Sequence, residues 1–140
     1  MFNKEEDKKD CMAGFQHLAF IPARRGSKEL PFKNRLFFDY TADFIDLEGF
    51  FDQVIVSTDD EVIVEKSLKR NYTIHHRPRK LCGGKIAIKR VFQSAINDLN
   101  INPKSYLWLF YLPIIYKDAR DFRDAKRIVE RNKIRSLCTF

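Results

Sequence analysis

Phe20-Ile21-Pro22-Ala23-Arg24-Arg25-Gly26-Ser27-Lys28 is the stretch whose reading decides the fold. An apolar run from His17 to Pro22 ends in a loop that carries a glycine, a hydroxyl and cations. Strands covered on both faces read as continuous apolar runs, so the segment predicts a first buried strand opening into a binding loop. Gly26 permits close approach, Ser27 offers a hydroxyl, and Arg24, Arg25 and Lys28 bring positive charge beside free backbone N–H groups. That chemistry suits a polyphosphate. Taken alone, the loop reads almost as well as a solvated turn, and it has neither the P-loop nor the dinucleotide-binding glycine spacing.

On the C-terminal side, Gln53-Val54-Ile55-Val56-Ser57 is a β-branched strand running into Thr58-Asp59-Asp60. These residues are placed to cap a helix from Glu61 to Arg70, with Asn71 as its stop. Between the two strands, Phe44, Ile45, Leu47, Phe50 and Phe51 recur at roughly helical intervals and predict a helix over Tyr40–Phe51. Tyr72–His75 is a short strand candidate. The apolar positions Ile88, Val91, Phe92, Ala95, Ile96 and Leu99 mark an amphipathic helix. Tyr106–Tyr111 predicts another strand, Asp121–Arg131 another helix and Ser136–Phe140 a last strand. Alternation of this kind predicts an α/β, Rossmann-like fold with a mostly parallel sheet and ligands beyond the carboxyl ends of its strands. Residues Met1 to Gly14 lack periodicity and read as a flexible leader, leaving residues 15–140 as one α/β domain.

Composition sets the outer bounds. With 44% hydrophobic and 32% charged residues the chain is neither wholly disordered nor an integral membrane protein, and its longest apolar run, Leu107 to Tyr116, is too short to span a bilayer. The excess of 26 Lys plus Arg over 19 Asp plus Glu favours anionic partners. Three widely spaced cysteines, Cys11, Cys82 and Cys138, read as free thiols, which fits a reducing cytoplasm. Cationic neighbours give Cys82 a route to a lowered pKa, although no partner base is identifiable. Adjacent strand residues point to opposite faces, so His75 and His76 cannot readily share a metal. Asp59 and Asp60 at a strand-to-helix junction are more often a cap than a metal pair. The cations from Arg77 to Lys80, with Lys85, Lys89 and Arg90, come without any nucleic-acid-binding signature, and nucleic acid is not the expected partner.

Three ordered blocks carry a more specific signal. Ile21-Pro22-Ala23-Arg24-Arg25-Gly26-Ser27-Lys28, then Pro31, then Lys33-Asn34, resembles the IPARGGSKGIPRKN signature of the N-acylneuraminate cytidylyltransferase family. Phe51-Asp52-Gln53-Val54-Ile55-Val56-Ser57-Thr58-Asp59-Asp60-Glu61 is similar to its FDxVxVSTDDE block, and Arg77-Pro78 followed by Leu81 to its RPxxL turn. The resemblance implies a Rossmann-like nucleotidyltransferase in which a hydroxyl of an acidic nine-carbon sugar attacks the α-phosphate of CTP and releases pyrophosphate. It implies magnesium as cofactor, with ligands that cannot be identified in this chain. Carried over by position, Ala23, Arg24, Arg25, Gly26, Ser27 and Lys28 would surround the nucleotide phosphates, with Arg24 and Lys28 as the catalytic cations. Lys33 and Asn34 would complete that wall, Arg77 would lie near the cytidine, and Ser57, Thr58, Asp59 and Asp60 stand as secondary candidates.

The chain also departs from the family pattern. Arg25 and Glu29 stand where the family has glycines, and the segment between Asn34 and Phe51 is shorter than its counterpart. Leu109 to Ile115 keeps only the proline of a glutamine-proline-threonine-serine-proline stretch. The family continues past the position of Phe140 with magnesium-binding carboxylates, the sugar pocket and a dimer arm, so a homodimer or a separate C-terminal half is implied as partner. Two alternatives therefore stand beside the enzyme: a catalytically impaired nucleotide-binding remnant, and a basic nucleic-acid or protein-interaction module.

Overall fold

A computed structural model describes residues 15–26, 32–112 and 123–128. Four strands, β1 (Gln16–Pro22), β2 (Gln53–Thr58), β3 (Thr73–His76) and β4 (Ser105–Leu109), form one sheet in the order β3-β2-β1-β4. Every pairing is parallel, with Phe20 opposite Ile55 and Leu109, and Ser57 opposite His75. Helices α1 (Lys33–Glu48), α2 (Glu61–Lys69) and α3 (Ile88–Asp98) alternate with the strands, and residues 123–128 are also helical. This is the expected α/β, Rossmann-like architecture. The expected leader over residues 1–14, the final strand and the ends of the Asp121–Arg131 helix lie outside the described residues.

The period of two along β1 divides the core. Ala19 and Ile21 face a cluster that includes Phe38, Ala42 and Ile45 of α1, Ile63 of α2, Trp108, Phe110 and Ala125. Leu18 and Phe20 face the opposite cluster, with Val91 and Ala95 of α3 and Leu81. Phe20 is completely buried and meets Phe92 edge-on, with ring centroids 4.7 Å apart. Burial of this kind contributes about 25 cal/mol for each Å² of apolar surface removed from water, and it is what holds the two helical layers to the sheet.

The first helix begins seven positions before the predicted Tyr40 and ends at Glu48, not Phe51. Its start carries no sequence signal, because the N-cap is Phe32 at φ 59° with no side-chain cap and no acid in the first turn. Its end is set by Gly49, whose φ of 58° suits glycine. Phe50 and Phe51 belong to the following turn, where both rings pack edge-on against Trp108 at centroid distances of 5.6 and 5.9 Å. Their hydrophobicity serves the base of the sheet, which is why a helical reading extends too far.

Helix α2 follows expectation closely. Asp60 accepts from the Val62 N–H at 3.0 Å and caps the helix. At the other end Asn71 takes φ 60°, with Tyr72 N–H bonded to the Ser67 carbonyl and Asn71 N–H to that of Leu68, a Schellman termination. Arg35 of α1 clamps the same Asp60 carboxylate, Nε to Oδ2 at 2.7 Å and Nη2 to Oδ1 at 2.9 Å. Burial works to raise the Asp60 pKa, but the Arg35 and Val62 hydrogen bonds and the Arg35 and Arg25 charges outweigh it and hold the carboxyl below its ordinary value. A depressed folded-state pKa gives stability that is complete above the unfolded value and is lost as pH falls through the folded one. Asp60→Ala is therefore expected to lower the unfolding free energy by at least about 1 kcal/mol, the usual worth of a cap. In urea titrations the variant should also lose part of the wild-type decline below about pH 4; an unchanged midpoint at both pH values would contradict this role.

Candidate functional site

The carboxyl ends of β1, β2 and β3 are laced together by the residues that follow them. Ala23 N–H donates to the Ser57 carbonyl at 2.9 Å, and the Thr58 hydroxyl donates to the Ala23 carbonyl at 2.6 Å. The same hydroxyl oxygen accepts from Asp60 N–H at 2.9 Å. Asp59 Oδ1 accepts from Arg25 N–H at 2.7 Å, and Asn34 Nδ2 donates to the Arg24 carbonyl at 2.8 Å. The Arg77 N–H closes the set on the Thr58 carbonyl at 3.0 Å. Each strand end thus holds the next, and the loop after β1 is anchored on both sides.

Beyond this edge lies an open cavity of about 280 Å³. Arg24, Lys33 and Arg77 bring three cations to it, and Gly26 and Asn34 line it beside them. Ile86, Ile88 and Val91 form an apolar wall, with Tyr111 and Leu112 after β4 on another side. Gly83 and Gly84 complete the lining. A Cβ on Gly84 would sit 3.1 Å from Arg24 Nη1, so this glycine lets the guanidinium lie against the backbone. Burial lowers the Arg77 pKa, opposed by the charges of Cys82 and Asp59 and assisted by the nearby Arg24 charge. Two guanidinium groups thus lie near one another at the cavity, with Arg77 partly buried.

Of the residues singled out in the sequence, Arg24, Gly26, Lys33, Asn34 and Arg77 come together at this cavity. Lys33 and Asn34 reach it from the first turn of α1 and not from the loop. Ala23 is wholly buried and contributes backbone bonds, while the Arg25 side chain is exposed and its N–H is taken by Asp59. Ser27 and Lys28 lie outside the described residues. Ser57 and Thr58 are fully enclosed and bind neighbouring strands and loops. Asp59 and Asp60 are a loop anchor and a helix cap.

The fit to magnesium can be judged on these groups. Among the described residues no three of His, Cys, Asp or Glu converge as metal ligands, and the Asp60 carboxylate is occupied by Arg35 and Val62. These residues do not fit a magnesium site. Cys82, whose cationic neighbours offered a route to a lowered pKa, shifts the other way: burial first, then the Asp59 charge, pushes the thiol up, and Sγ donates to the Pro78 carbonyl at 3.3 Å. His75 and His76 do point to opposite faces, one buried and one exposed.

Sequence reasoning misses the Gly83-Gly84 pair, the apolar wall and the role of His75. A glycine pair shortly after the Arg77-Pro78 turn is the available signal for the first. His75 faces α3, with Nδ1 2.8 Å from Ser57 Oγ and Nε2 3.1 Å from Asp98 Oδ2 and 3.2 Å from Ser94 Oγ. Register explains the first contact, since Ser57 and His75 are cross-strand partners.

Fold and site together define a Rossmann-like α/β domain with a cationic cavity at the carboxyl edge of a parallel sheet. No protein-family model matches the chain. Over 60 residues it is 42% identical to a pseudaminic acid cytidylyltransferase of Campylobacter jejuni serotype O:2. The pseudaminic acid cytidylyltransferase of serotype O:23/36 is 40% identical over 60 residues. Each match takes in 39% of this chain and 26% of the relative, so the similarity spans about a quarter of the curated proteins' length. The chain is a divergent, partial homologue of these cytidylyltransferases. No helix among the described residues is long and apolar enough to cross a membrane.

Burial is the first cause of the lowered His75 pKa, outweighing the opposing pull of Asp98. The unfolded chain then takes up this proton first as pH falls. Stability from the neutral ring is complete above about pH 6.5 and is lost as pH drops through the folded value. His75→Asn should therefore show a shallower loss of urea midpoint between about pH 7 and pH 5 than the wild type. Parallel pH profiles for the two proteins would contradict a buried neutral ring.

Proposed function

We propose that this chain forms the CTP-binding part of a cytidylyltransferase that activates an acidic nonulosonic sugar as its CMP derivative. The observation that carries the proposal is the convergence on one cavity of Arg24 and Lys33, from the segment similar to the N-acylneuraminate cytidylyltransferase signature, with Arg77 from the RPxxL-like turn. Cations on an anchored loop and a helix start suit a triphosphate, because charge-assisted hydrogen bonds to phosphate are short and strong. The apolar wall of Ile86, Ile88 and Val91 suits the flat face of a nucleobase.

In the reaction, the sugar hydroxyl oxygen forms a bond to the α-phosphorus as the bond to the pyrophosphate leaving group breaks, and the hydroxyl proton passes to water. This chain's own part is to bind the triphosphate, hold it in one orientation and offset the charge that builds on its oxygens. Lys28 joins that set by the resemblance. We further propose a cytoplasmic location, and a second copy or a C-terminal half that supplies the sugar-binding groups together with the magnesium ligands that the described residues do not provide.

Isothermal titration calorimetry with CTP tests the binding step. Arg24→Ala and Arg77→Ala should each weaken binding by roughly tenfold or more, the typical loss of a hydrogen bond to a charged group. Affinity should fall with added salt. A pyrophosphate-release assay with CTP, magnesium and pseudaminic or sialic-type acids tests the chemistry. Turnover supports the enzyme; CTP binding without turnover by folded protein identifies a nucleotide-binding remnant; no CTP binding overturns the proposal.

A further inference from the structure

We propose that Ser57 and His75 are positioning residues for Arg77, joined in a polar relay that runs from the cavity wall to Asp98 at the surface of α3. The inference rests on the reading that Arg77 faces the nucleotide. Arg77 Nε donates to Ser57 Oγ at 3.2 Å and Nη2 to the Ser57 carbonyl at 3.3 Å. Ser57 Oγ lies 2.8 Å from His75 Nδ1, and His75 Nε2 lies 3.1 Å from Asp98 Oδ2. Both Ser57 and His75 are almost completely buried, whereas the Asp98 side chain is 54% exposed.

The direction of the relay follows from donor and acceptor chemistry. An ionised carboxylate only accepts, so Asp98 places the ring proton on Nε2. Nδ1 of the neutral ring is then an acceptor, and the hydroxyl that meets it is that of Ser57. With its proton committed to Nδ1, Ser57 Oγ turns its lone pairs to the Arg77 Nε–H. The guanidinium is thereby held at two of its donors and keeps the others for a ligand. Ser94 Oγ braces the far end, 3.2 Å from Nε2 and 3.3 Å from Asp98 Oδ2. Arg77 and His76 add like charge near the ring, which works against its protonation. A protonated ring would donate from both nitrogens, leaving the Ser57 proton without this acceptor and setting two cations against one hydroxyl.

Neither Ser57 nor His75 lines the cavity, and the Ser57 hydroxyl meets the lining at Arg77, so the relay predicts that side-chain substitutions here act on ligand affinity through Arg77. Two measurements on the full chain test this. Nitrogen-15 NMR of the imidazole should show a neutral, Nε2-protonated ring whose Nδ1 resonance moves in Ser57→Ala; an Nδ1-protonated ring overturns the relay. CTP calorimetry forms the second test as a double-mutant cycle. His75→Leu should weaken CTP binding roughly tenfold, as expected for loss of orientation of one charged donor. His75→Asn, whose Oδ1 sits where Nδ1 did, should restore most of it. In an Arg77→Ala background His75→Leu should have no further effect. Equal losses in both backgrounds, or Asn behaving like Leu, overturn the positioning role. Should His75→Leu fail to fold, Ser57→Ala, which removes a single oxygen, takes its place in the cycle with the same expectations. Absence of CTP binding by the wild type overturns the nucleotide reading and the positioning role with it, while normal wild-type binding with a failed cycle overturns the positioning role alone.

Discussion

Thr58 sits at the crossing of three chain segments. Its hydroxyl donates to the Ala23 carbonyl at 2.6 Å and accepts from the Asp60 N–H, while its own carbonyl takes the Arg77 N–H. One residue, through its hydroxyl and its carbonyl, thereby ties the β1 loop, the start of α2 and the exit from β3 to a single point. With Asp59 on Arg25 and Ser57 on Ala23, the clamp sets where Arg24 and Arg77 can be. Buried polar groups in such a network are worth most when all are satisfied, and low-dielectric surroundings strengthen its buried bonds, those of the Thr58 hydroxyl above all. The cationic cavity is a consequence of this clamp, since neither guanidinium would be held against the other's charge on a loose loop.

The sheet order makes that clamp possible. β1 lies between β2 and β4, so the chain leaves its first strand to build one side and later crosses to the other. Open parallel sheets leave a crevice beyond the strand ends where the order reverses, and the cavity occupies that place. Continuous apolar runs at His17–Pro22 and in β2 announce the two central strands, because residues buried on both faces leave no polar alternation. The α3 periodicity and the α2 caps are equally plain. What escapes a sequence reading is the start of α1. Its buried face is built partly from Thr41 and Ala42; Asp39, Asp43 and Asp46 pair with Lys66 and Arg70 of the neighbouring segment; and its N-cap is a phenylalanine in the left-handed region. None of these is a residue-level start signal; the helix is held by tertiary packing of Phe38, Ala42 and Ile45 in one cluster with Ile63 and Tyr72.

The site is legible to about the same depth. Arg24, Gly26, Lys33, Asn34 and Arg77 can be named from the motif blocks, and all five meet at one cavity. The acids of the second block divide between holding a loop and capping a helix, as two acids at a strand-to-helix junction usually do. Arg35 escapes notice because it depends on the true start of α1, from which its side chain reaches Asp60. His75 reads poorly in the sequence because its neighbour His76 cannot share a metal with it. Its partners lie across the sheet in β2 and above it on α3, separations that only the register and the crossover supply.

Arg24, Lys33 and Arg77 act as one anion site only if a nucleotide seats among them. Backbone amide chemical shifts recorded while CTP is titrated into the full chain measure this directly. The account predicts saturable shifts centred on Arg24–Gly26, Lys28, Lys33–Asn34, Arg77, Gly83–Gly84 and the apolar wall of Ile86, Ile88 and Val91, lost in Arg77→Ala. Shifts centred on the exposed Lys89 and Arg90 of α3, or none at the cavity at saturating CTP, would contradict it.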